Sequence, residues 1–117
     1  MHFQVRTDNH IENSEALADR IRDEVEAALG HHHRPDRVRR VEVYLQDVNA
    51  RKGGADDIRC SIELSIAGHP PIAADDRAAG VDEAVTGAID KVLRVLEHTM
   101  GKIEDRNGRV SMSGEET

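Results

Sequence analysis

Aromatic side chains are almost missing from this chain of 117 residues, which has one Phe, one Tyr and no Trp. Its core must be aliphatic, and an aromatic platform that stacks single-stranded bases is excluded. The single cysteine, Cys60, allows no internal disulfide and no thiolate zinc site of its own. No stretch approaches the roughly 20 apolar residues that span a bilayer, and the opening Met1-His2-Phe3-Gln4-Val5-Arg6 lacks the apolar block of a secretion signal. A cytoplasmic protein with no membrane partner is expected. Basic charge is in short supply too: 16 Lys and Arg stand against 23 Asp and Glu, for a net charge of −7. Taken as a total, that argues against nucleic acid. What remains is 38% hydrophobic and 33% charged residues, enough for one compact domain with a modest core.

Phe3 and Val5 alternate with Gln4 and Arg6 as a short first strand, broken by the loop Thr7 to His10. From Asn13-Ser14, Leu17, Ile21, Val25 and Ala28 recur at helical spacing up to Gly30, which predicts a helix over about 14–29 with Glu15, Asp19, Asp23 and Glu26 on its solvated side. After the polar loop His31 to Asp36, Val41, Val43 and Leu45 alternate with Arg40, Glu42, Tyr44 and Gln46. The turn Arg51 to Asp57 leads into the clearest alternation, in which Ile58, Cys60, Ile62, Leu64 and Ile66 share one face. Gly68-His69-Pro70-Pro71 reads as a tight turn and Ile72 to Ala74 as a short edge strand. A long helix is expected from a cap near Asp75-Asp76 to about Glu104, its core stripe being Val81, Ala84, Val85, Ala88, Val92, Val95, Leu96, Thr99 and Ile103. Residues 106–117, poor in apolar groups, are expected to be a disordered tail after a domain over 1–105. The order β-α-β-β-β-α predicts an α+β fold, a four-stranded sheet with both helices on one face and the other face open. That open face and the edge strand leave room for weak self-association.

Charge is distributed unevenly along this layout. Residues 1–29 hold three basic and seven acidic groups, residues 30–60 seven and five, and residues 61–117 six and eleven. On the second helix Lys91, Arg94, His98 and Lys102 are spaced by three, four and four and form one stripe. Asp82, Glu83, Asp90, Glu97 and Glu104 gather on the other flank or the back. Together with Arg40 and Arg59 on the sheet, the stripe can meet phosphates as a row of point charges and forks. The competing reading is a solvated surface whose cations pair with neighbouring acids.

Other candidate chemistry is thin. His31-His32-His33 are adjacent loop residues without fixed geometry or further ligands at metal spacing, so no metal or other cofactor is expected. Cys60 alternates with core aliphatics and reads as a buried small hydrophobe, not a nucleophile. Arg51-Lys52-Gly53-Gly54 lacks the pattern of a phosphate-binding loop. No carboxylate pair falls in a buried segment where it would serve as an acid catalyst. A non-enzymatic protein with no small-molecule substrate follows.

The element order, the opening Val5-Arg6-Thr7-Asp8-Asn9-His10-Ile11-Glu12, the strand Val41-Glu42-Val43-Tyr44-Leu45 and the helix segment Asp90-Lys91-Val92-Leu93-Arg94-Val95-Leu96 resemble the hibernation-promoting factor and ribosome-associated inhibitor (HPF/RaiA) family over about residues 1–105. The resemblance implies a fold similar to the double-stranded RNA-binding domain. It also implies a translation inhibitor of stress or stationary phase that binds the small ribosomal subunit in the channel for messenger and transfer RNA. By position in the motif, Lys91 and Arg94 would contact ribosomal RNA phosphates, with Lys102 where the family's terminal helix is rich in basic residues. The length implies the short form, which lacks the second, dimerising domain. An acidic total predicts weak or salt-sensitive binding. The alternative is a protein-interaction module that has kept the fold, lost ribosome binding and uses its acidic helix faces.

Overall fold

The computed structural model describes residues 1–31, 37–48 and 57–116, with side chains as far as residue 102. Its elements are β1 (His2–Thr7), α1 (Glu15–Leu29), β2 (Val38–Asp47), β3 (Ile58–Ile66), β4 (His69–Ala78) and α2 (Val81–Glu116). The strands form one sheet in the order β1-β2-β3-β4, with β1 parallel to β2 and the other two pairs antiparallel. A parallel β1–β2 pair needs a crossover, and α1 supplies it.

Alternation on the two central strands sorts the sheet into faces. Val41, Val43 and Leu45 on β2 and Ile58, Cys60, Ile62, Leu64 and Ile66 on β3 are buried. Ile21, Val25 and Leu29 of α1 and Ala84, Val85, Ala88, Ile89, Val92, Leu96 and Met100 of α2 join the same cluster, so both helices lie on one face. Phe3 and Val5 pack against it from β1, and the Arg22 guanidinium sits 5.4 Å above the Phe3 ring. The opposite face carries Arg40, Glu42, Tyr44, Arg59, Ser61 and Glu63, none of them buried.

Local chemistry fixes the joints. Ser14 caps α1 in an extended conformation, its Oγ accepting from Leu17 N at 3.1 Å. Asp8 closes the end of β1: its own N–H donates to Leu45 O, and its carboxylate accepts from Asp47 N at 2.8 Å and His10 N at 3.0 Å. At the β3–β4 turn Gly68 takes φ +74°, a left-handed backbone that a side chain would strain.

Both ends of β4 and of α2 differ from the sequence reading, and His69 to Pro71, expected in a tight turn, already belong to β4. Asp75 and Asp76 do not cap α2. They belong to β4, which pairs with β3 as far as Ala78 and is therefore much longer than Ile72 to Ala74. The first turn of α2 closes instead on Gly80, whose carbonyl accepts from Ala84 N at 3.1 Å. The backbone of α2 also continues to Glu116 instead of ending near Glu104, with no proline after Pro71 to interrupt its ladder; the side chains of the expected tail lie outside the described residues. Within α2, Val95 is 37% exposed whereas Ile89 and Met100, left out of the expected stripe, are buried.

Asp8→Ala should cost about 1–3 kcal/mol, because it strands a partly buried amide of β2, while Asp8→Asn, which keeps an acceptor, should cost less. Urea unfolding of the two variants checks the order.

Candidate nucleic-acid interface

The basic residues singled out by the sequence fall on two different surfaces. Lys91, Arg94, His98 and Lys102 are exposed along one flank of α2. Arg40 and Arg59 lie on the open face of the sheet, because their neighbours Val41, Ile58 and Cys60 point toward the helices. The sheet thus separates the two arginines from the helix stripe, and the fold does not gather all six into one row.

Their partners differ as well. The Arg40 guanidinium binds Glu42 at 2.6 Å and Gln4 Oε1 at 3.3 Å. Arg59 stands opposite Arg77 in the β3–β4 register, a like-charge pair, and turns diagonally to Asp75, donating from Nε to Oδ2 at 2.7 Å. Arg77 is drawn to Asp57 at 3.5 Å. On the other side of β4, Lys91 Nζ donates to Asp76 Oδ1 at 2.7 Å. Among the described residues, Arg94, His98 and Lys102 have neither an ion pair nor a side-chain hydrogen bond. The acidic flank of α2 faces α1, where Arg20 pairs with Asp82 and Thr86 donates to Glu24, each at 2.7 Å.

The Lys91 contact depends on a residue outside the basic stripe. Gly87 is one turn before Lys91 and lies against Asp76; a Cβ there would fall 2.7 Å from the Asp76 Cγ and closer still to Oδ2. The bare backbone lets the carboxylate lie on the helix and reach the ammonium group. The Lys91 hydrogen bond is the main cause that holds the Asp76 carboxyl below the ordinary carboxylate range, with the Lys91 charge adding to it and desolvation opposing it. The spacing of Gly87 and Lys91 by four is visible in the sequence, but that Asp76 lies in a strand against them is not.

The arrangement offers no catalytic group at Cys60, which is fully buried and whose thiol is pushed up to about 12, chiefly by burial. His31 is exposed, while His32 and His33 lie outside the described residues. No cluster of metal-binding side chains occurs among the described residues. Nor is any helix among them long and apolar enough to cross a membrane.

The family model described as Sigma 54 modulation protein / S30EA ribosomal protein matches residues 4–104. The chain belongs to this family of ribosome-associated modulation factors. Its fold is also that of the Protein Y N-terminal domain from Thermus thermophilus, with a TM-score of 0.65 at 16% identity over 85% of this chain and 99% of the other. A ribosomal subunit interface protein from Coxiella burnetii is similar with a TM-score of 0.62 at 17% identity, over 90% of this chain and 99% of that one. A search of curated proteins finds no match.

Because pairing lowers the folded-state pKa of Asp76, its stabilising contribution is complete at neutral pH and is lost as pH falls through that lowered value. An NMR titration should place the Asp76 midpoint below the ordinary carboxylate range. The midpoint should rise in Lys91→Met, and also in Gly87→Ala, where the new methyl group displaces the carboxylate.

Proposed function

We propose that the chain is a hibernation factor that acts in the cytoplasm under stress or in stationary phase, with residues 1–105 as its ribosome-binding unit. It occupies the messenger and transfer RNA channel of the small subunit and blocks translation without catalysing a reaction. Family membership supports association with the ribosome, and the structural neighbour from Coxiella burnetii, named a ribosomal subunit interface protein, points the same way.

The observation that carries the reading is the flank of α2 where Arg94 and Lys102, with His98 between them, stay exposed and without an acidic partner among the described residues. Cations in that state can take phosphates directly, with no internal contact to break. They are few in a chain of net charge −7, so binding is modest, and its fall with salt is shallow, since each phosphate contact adds slightly less than one to the log–log slope. Arg40, Arg59 and Lys91 contribute less than their charge suggests, because each is already held by a carboxylate.

Sedimentation with ribosomes and isolated subunits at rising salt tests this. The expected result is saturable binding to the small subunit that weakens as salt rises and is abolished by the double charge reversal Arg94→Glu and Lys102→Glu in a protein that still folds. A protein that stays at the top of the gradient at low salt would refute the ribosomal role and shift attention to basic partners of the exposed acids Glu15, Asp19, Asp23 and Glu26 on α1.

A further inference from the structure

Consecutive residues of a strand point to opposite faces, and at Asp75-Asp76 both faces carry a cation bound by a carboxylate. Asp75 lies opposite Ser61 on the open face and holds Arg59; Asp76 lies opposite buried Cys60 on the helix face and holds Lys91. Both contacts are 2.7 Å, and β4 forms one edge of the sheet. Lys91 is half exposed, yet Asp76 is only 25% exposed and rests in the notch left by Gly87. The carboxylate is thus held in place, and a phosphate approaching Lys91 meets a cation whose charge is already answered.

We infer that Asp75 and Asp76 act as an internal competitor for polyanions, withholding Arg59 and Lys91 so that Arg94 and Lys102 make the first phosphate contacts. The pair determines specificity by attenuation. A generic polyanion recruits only the free cations, while a surface that also fits the β4 edge in shape can displace the carboxylates and gain two more. The inference rests on the ribosomal reading for the identity of that polyanion, but the competition itself is a property of this chain.

Counterion release makes the competition measurable, because a cation already neutralised by an internal carboxylate releases little on binding phosphate. The double variant Asp75→Asn with Asp76→Asn should elute later from heparin than wild type and bind small subunits about two- to fivefold more tightly. The slope of log affinity against log salt should steepen by slightly less than one per cation freed. Asp19→Asn with Asp23→Asn changes net charge equally at exposed acids that have no cation partner among the described residues, and is the control. In a Lys91→Met background, Asp76→Asn should have no effect beyond that of charge alone, which isolates the coupling between the two positions. A heparin shift no larger than the control's, or a coupling of zero, overturns the inference. If the heparin shift exceeds the control's but no variant binds subunits, the competition stands and the ribosomal reading falls. Thermal melts of each variant confirm that the fold survives.

Discussion

The fold depends on one constraint: an aliphatic sheet that is greasy on only one side. With one Phe, one Tyr and no Trp in the chain, β2 and β3 bury branched aliphatics and Cys60 at alternate positions and leave most of the remaining positions to polar groups. A surface of that kind is stable in water only when covered, and α1 and α2 together are wide enough to cover it. The placement of Arg40 and Arg59 follows. A side chain in the polar phase of β2, β3 or β4 belongs to the open face whatever it might do near the helices, so Arg40 and Arg59 are parted from Lys91 and Arg94.

Alternation and helical spacing made most of this architecture readable beforehand. The span of β3 and the cap at Ser14 are where periodicity and capping chemistry place them. Asp75-Asp76 misled because two acids just before a helical pattern carry the signature of an N-terminal cap. In the folded chain the ladder with β3 takes them, since Arg59 and Lys91 stand ready on either face, and neither partner is visible to a local reading. The position of Val95 shows the same limit. A helix wheel finds an apolar flank, but which of its edges is buried depends on where β4 and α1 lie, and that favours Ile89 and Met100.

The candidate interface was legible as a list of cations and not as a surface. Spacing alone identifies the stripe of Lys91, Arg94, His98 and Lys102. It does not reveal that Lys91 is held by a strand 15 residues earlier, or that Gly87 is the gap that permits it. Charge counts treat every lysine and arginine as equally available, whereas availability is decided by which carboxylates the fold brings alongside. For a chain with more acids than bases that distinction outweighs the total, since a few free cations on one flank matter more to a polyanion than the sign of the whole.

The single tyrosine is a built-in optical probe. Tyr44 stands 38% exposed on the open face of the sheet, beside a shallow depression also lined by Arg6, Ser61 and Glu63, while the aliphatic core beneath the helices holds neither tyrosine nor tryptophan. Ultraviolet emission from this protein therefore reports on the outside of the sheet, remote from α1 and α2. A partner seated on that face changes the signal at once, and one that approaches along the helices leaves it untouched, so one fluorescence channel distinguishes the two sides of the molecule without a label.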